Sequence, residues 1–154
     1  MQQKLGVAIE LIRQEYERVW SDWYRDRQHA RACLNVHVGF QTSGYSPEAD
    51  EIHLWLPESN LIESVNWGAA NPHLRSTGGY SMQWMLWKIE LIHEMLHEFQ
   101  GKVFRDKASH AGLRLYENNF RSITGPGHDA RFYSAIADRA EYFGMTPVQL
   151  LASI

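Results

Sequence analysis

The segment "WKIELIHEMLHEFQG", residues 87–101, sets two histidines four positions apart with a glutamate directly after the first. On a helix, side chains four apart stack on one face with Cβ atoms about 6 Å apart. His93 and His97 can then aim two imidazoles at one zinc ion, each nitrogen about 2.0–2.1 Å from it. Glu94 is turned from His93 by about 100°, away from the ligand direction and toward the water that the ion would carry. In this HExxH spacing the carboxylate is the general base, and zinc brings the pKa of its water toward about 7. The surroundings matter as much as the spacing. Glu90, His93, Glu94 and His97 interrupt the most apolar stretch of the chain, which runs through Trp84, Met85, Trp87, Ile89, Leu91, Ile92, Met95, Leu96 and Phe99. Buried ionisable groups are costly unless paired or metal-bound, so a metal site is expected here rather than a polar stripe.

A catalytic zinc takes three protein ligands and keeps one open position. The remaining histidines are His29, His37, His53, His73, His110 and His128. His128 is the expected third ligand. It follows a Gly-Pro-Gly turn in "TGPGHDARFY" and stands at the start of a helix whose next apolar positions anchor it, and metal sites need such rigid support. His110, in "KASHAG", is the alternative. His37 and His53 fall on the outer faces of strands and read as solvated; His29 ends a charged helix. Imidazole N–H acceptors are expected from Glu90, Glu98 or Asp129, with Asp129 equally suited to cap the following helix. Arg131 and Tyr133 are candidates for stabilising an oxyanion, and equally a surface charge and a core ring.

These residues need positioning elements. From about residue 3 to 32, Leu5, Ile9, Ile12, Tyr16, Val19 and Trp23 recur at steps of three and four, the stripe of a long amphipathic helix. "LNVHVGF" alternates, with Leu34, Val36, Val38 and Phe40 on one side; "EIHLWL" alternates again, with Ile52, Leu54 and Leu56 inward. Joined by the turn-rich "TSGYSPEAD", the two strands suit an antiparallel pair, and the second is equally an edge for an extended peptide or an interior strand with no such role. A short helix is expected from Pro57. Residues 66–79 read as a long loop, a candidate lid, and residues 81–100 as a central buried helix stopped by Gly101. "LRLYENNF" fits either a strand or a helical turn. Phe132, Tyr133, Ile136, Ala140 and Phe143 mark a helix closed by Gly144, and Thr146 and Pro147 open a last short one.

At 154 residues, 44% apolar and 21% charged, the chain has the size and composition of one globular domain. A net charge of −3 without a Lys/Arg block gives no support to nucleic-acid or anionic-membrane binding. Cys33 is the single cysteine, which excludes a disulfide framework and a Cys-based zinc ribbon. No signal peptide or membrane span is read, and the expectation is a soluble, cytoplasmic protein. Six Trp and seven Tyr point to a core built on large aromatics.

The ordered series "EADEIHLWLPESNL", "ELIHEMLHEFQG" and "GPGHDARFY" resembles the SprT-like zinc metalloproteases over about residues 34 to 143, with HExxH its specific part. The resemblance implies an α+β, zincin-like single domain spanning residues 1–154. It would have a long N-terminal helix, a small antiparallel sheet, a central buried HExxH helix and C-terminal helices. It implies His93, His97 and His128 as zinc ligands, Glu94 as catalytic base, and a protein or peptide as substrate. The interval from His97 to His128 is longer than the family pattern, which keeps His110 in play. The cysteine-rich ribbon and basic tail of DNA-associated members are absent, so dependence on DNA is not expected. Two other readings stand beside the peptidase. One is a zinc amidohydrolase acting on a small amide, for which Cys33 is in the wrong chain order to serve as a deformylase-type ligand. The other is a non-catalytic zincin-fold module with a structural metal, in which Glu94 would have no task.

Overall fold

The computed structural model describes residues 2–25, 28–70, 85–119 and 122–154. In chain order the elements are α1 (Gln2–Trp23), β1 (Cys33–Val38), β2 (Gly44–Ser46), β3 (Glu51–Leu56), α2 (Glu58–Ala70), α3 (Leu86–Val103), α4 (His110–Asn119), α5 (Ala130–Arg139), a 3-10 turn (Ala140–Phe143) and α6 (Pro147–Ser153). The described residues form an α+β fold, mostly helical, with one small mixed sheet. They gather into two compact units, Met1–Glu94 and Met95–Ile154, and the division falls within α3. No helix among the described residues is long and apolar enough to cross a membrane.

In the first unit α1 buries Ile12, Tyr16, Val19 and Trp23 and packs on α2. It ends at Trp23 rather than near residue 32 because the apolar stripe ends there; residues 25–31 carry no large apolar side chain. The sheet has the order β1-β3-β2, with β1 parallel and β2 antiparallel to β3. The expected antiparallel pairing of β1 with β3 is therefore corrected to a parallel one. The chain reverses after Val38, runs back as β2, and reverses again into β3. An alternating pattern has the same two-residue period in either direction, so it carries no information about orientation. The inner face is as read: Ile52, Leu54 and Leu56 are fully buried, each worth about 1.5–3 kcal/mol. Phe40 is not part of it. It is 91% exposed, beyond the strand end, where Gly39 turns the chain at φ 150°.

β3 is the central strand and offers no edge to a peptide. β1 pairs along its whole length, β2 pairs with Glu51–His53, and the Ser43 hydroxyl accepts the Trp55 N–H at 2.8 Å where β2 has ended. Helix α2 extends to Ala70, five residues into the expected loop, because Trp67 continues the buried face of Leu61 and Ser64. The rest of that loop (71–79), His73 within it, and the expected start of the central helix (81–84) lie outside the described residues. Helix α3 passes the expected stop at Gly101 and ends at Val103, its last turn held by Lys102 donating to Glu98 at 2.6 Å.

In the second unit "LRLYENNF" begins in a helix, α4, which lies on α5. Buried Gly112 makes that approach possible, since a Cβ there would run into the backbone of Ser134. The Ser134 hydroxyl accepts from the Ser109 N–H at 2.9 Å and donates to the Ala130 carbonyl at 2.8 Å. Phe132, Tyr133 and Ile136 are fully buried on α5. Gly144 ends the 3-10 turn at φ 68°, and Thr146 and Gln149 form a capping box around Pro147, as the sequence indicates.

Lys88, on the first half of α3, is fully buried with its Nζ 3.9 Å from the centre of the Trp67 ring. Burial lowers its pKa from 10.5 to about 8; the Glu15 carboxylate opposes that shift and the Arg18 guanidinium adds to it. The unfolded chain therefore holds this proton more tightly than the folded one. The stability linked to it is full above pH 10.5 and is lost as the pH falls through about 8. Urea unfolding from pH 8 to 10 should show wild type gaining stability over Lys88→Met, by on the order of 3 kcal/mol at most. A pH-independent difference between the two would contradict this.

Candidate metal centre

Three histidines meet where α3 faces the turn that leads into α5. His93, His97 and His128 each offer a ring nitrogen, and these atoms lie within 4.8 Å of one another. His93 and His97 come from successive turns of α3. His128 comes from the Gly125–Pro126–Gly127 turn, where both glycines have positive φ (105° and 84°). Gly127 is constrained by its φ, which suits glycine; a Cβ on it would make only an ordinary van der Waals contact, 3.4 Å, with the His97 ring. Phe132, fully buried, lies with its ring centre 4.3 Å from that of His97 and 4.8 Å from that of His128.

The proton positions follow from the neighbours. His97 Nδ1 lies 3.0 Å from the side-chain oxygen of Gln100, whose amide nitrogen donates to the Gly127 carbonyl and to Asp129 Oδ1, each at 3.2 Å. Turning that amide over would bring its oxygen against two acceptors, so Gln100 presents its oxygen to His97, and Nδ1 is the donor. His128 Nδ1 likewise donates to the Thr124 carbonyl at 3.0 Å. In the neutral rings both Nε2 atoms are then lone-pair acceptors, and they face each other at 3.1 Å. Two acceptors at that distance cannot hydrogen-bond to one another. A cation between them would turn the repulsion into two ligand bonds, and with His93 the donor set is three imidazoles, a set able to hold a zinc ion. The residues present fit the metal.

Burial sets the charge states. His97 is pushed down to about 4, mainly by burial; the Gln100 hydrogen bond and Asp129 oppose the shift and His128 adds to it. Near neutral pH it is the uncharged imidazole that a metal requires. Glu94 is 4% exposed, and burial first, then the neighbouring charge of Glu90, raises its pKa to about 8. A carboxyl group poised this close to neutral pH is suited to taking up and giving back a proton.

Of the other expected residues, His110 is exposed at the start of α4 and does not join the cluster. His29 packs edge-on against Tyr24, and His37 and His53 pair on the sheet. Tyr133 donates to the Asn119 carbonyl, and Arg131 binds Asp129 and the Arg105 carbonyl, which leaves both engaged in holding the fold. Asp129 caps α5, accepting from the Arg131 and Phe132 N–H groups. The acceptors at His97 and His128 are Gln100 and the Thr124 carbonyl, neither of them an expected carboxylate. Gln100 was missed; the available signal was its place three residues after His97 on the same face of an apolar helix. The Thr124 carbonyl belongs to the backbone and leaves no mark in side-chain types.

Comparison with protein-family models, with curated proteins and with solved structures finds no match.

Gln100 orients His97 and ties α3 to the turn carrying His128. Gln100→Ala should lower zinc affinity by about 10- to 100-fold in a competition titration while the fold is retained. Unchanged affinity would show that Gln100 has no part in holding the site.

Proposed function

We propose that the chain is a zinc-dependent peptidase of zincin-like fold, in keeping with its resemblance to SprT-like metalloproteases. The observation that carries this reading is the pair of imidazole Nε2 atoms facing each other at 3.1 Å, each with its Nδ1 committed to a carbonyl oxygen. His93, His97 and His128 would hold the ion. When bound, zinc supplies a Lewis acid that polarises a carbonyl and brings the pKa of water toward about 7.

The chain's own part in the chemistry falls to Glu94. Its carboxyl, buried and with a pKa raised to about 8, exchanges a proton readily near neutral pH. A dication at the imidazoles favours the carboxylate form, the one that accepts a proton from water. Glu94 then returns that proton to the departing amine, so one side chain serves as base and as acid. A site with only a structural role has no use for a buried carboxyl directly after a ligand, and that favours catalysis over a binding module. The substrate in this reading is a protein or peptide in extended form.

Metal analysis of the purified protein should find about one zinc per chain. Glu94→Ala should retain that zinc and lose on the order of 10²–10⁴-fold in cleavage of an unfolded protein such as casein. A metal-free protein with an unaltered fold, or a Glu94→Ala variant that cleaves like wild type, would overturn the proposal.

A further inference from the structure

A second line of titratable side chains crosses the outer face of the sheet and shares no residue with the cluster on α3. Glu51, His53 and Trp55 project from one face of β3, opposite to buried Ile52, Leu54 and Leu56. His37 stands on β1 opposite Trp55. His53 Nε2 is 2.8 Å from Glu51 Oε2, and His53 Nδ1 is 2.9 Å from His37 Nε2. The two imidazole planes differ by only 16°, with centres 5.2 Å apart. Set against the 2.9 Å between nitrogens, that separation leaves about one ring radius at each end. The rings are joined end to end in nearly one plane, which aligns the shared hydrogen with the acceptor's lone pair. His37 is held on its other side by Trp55, ring centres 4.4 Å apart and planes within 18°. Trp55 in turn lies close over Gly39, where a Cβ would stand 3.2 Å from its ring.

A carboxylate only accepts, so the hydrogen on this side of His53 sits on Nε2. The Nδ1 of a neutral His53 is then an acceptor and takes the Nε2–H of His37. His37 is left with its lone pair on Nδ1. All hydrogens in the chain point toward Glu51. The order is that of a nucleophile, a base within hydrogen-bond reach of it, and a third group orienting the base. We infer that His37 is an acyl-accepting imidazole, activated by His53 and Glu51, for activated acyl groups such as anhydrides, carbonates and phenyl esters. The Nδ1 lone pair bonds to the acyl carbon and the bond from that carbon to the leaving oxygen breaks, so that the leaving group departs as its anion. The Nε2 proton of His37 passes to His53 Nδ1. The N-acylimidazole on His37 is neutral, and the imidazolium of His53 is balanced by the Glu51 carboxylate. Water later restores the free imidazole and releases the acid.

Diethyl pyrocarbonate is the probe, used on the full chain near neutral pH with peptide mapping by mass spectrometry over time. His37 should be ethoxyformylated faster than exposed His110. Glu51→Gln and His53→Gln should each slow His37 by on the order of a hundredfold, the low end of what a positioned proton acceptor contributes, while leaving the His110 rate unchanged. Labelling of wild-type His37 no faster than His110 would overturn the inference without recourse to any variant. So would variants that retain the wild-type His37 rate, the outcome expected if the hydrogen bonds only hold β1 to β3.

Discussion

Two nitrogen lone pairs held 3.1 Å apart, pointing at each other, are the constraint around which the site is organised. Left alone, neutral imidazoles relieve such a contact by rotating or by moving a proton to the facing nitrogen. Here neither route is open at low cost. Each Nδ1–H is committed to an oxygen, that of Gln100 for His97 and that of Thr124 for His128, and the Phe132 ring lies against both imidazoles. Breaking either hydrogen bond would cost about 0.5–1.5 kcal/mol. Two facing acceptors are unfavourable by themselves and would become favourable around a cation, as the proposed zinc site requires.

That arrangement makes specific demands on the local backbone. Gln100 can reach His97 only because three residues along a helix return to the same face, and it can reach Gly127 and Asp129 only because the turn comes close to α3. Gly127 supplies the positive φ of the turn, and Asp129 both receives Gln100 and caps α5, so the position of His128 is coupled to the start of a helix with a fully buried anchor at Phe132. Burial of its own carboxyl, with the charge of Glu90, raises the pKa of Glu94 to about 8.

What the sequence discloses and what it withholds divide along a physical line. His93, Glu94 and His97 were legible because a 3.6-residue period converts spacing into a shared face, and Ile52, Leu54 and Leu56 because a two-residue period does the same for a strand. Gly144, Thr146 and Pro147 were legible because their backbone preferences are local. Features that depend on tertiary partners were not. The direction of β1 against β3, the pairing of "GYS" as a strand and the continuation of α3 through Gly101 each rest on contacts remote in sequence or on an ion pair such as Glu98–Lys102. The sheet histidines read as solvated for the same reason. Nothing in the alternation of "LNVHV" or "EIHLWL" sets the register that brings His37 and His53 within hydrogen-bond distance.

The proton positions on the two facing rings decide whether they are set to receive a cation. Long-range 1H–15N correlation on histidine-labelled, metal-free protein near neutral pH should find both His97 and His128 with the hydrogen on Nδ1. One equivalent of zinc should then shift both Nε2 resonances and leave both Nδ1 hydrogens in place. A hydrogen on Nε2 of either ring in the metal-free protein, or Nε2 resonances indifferent to zinc, would contradict the account.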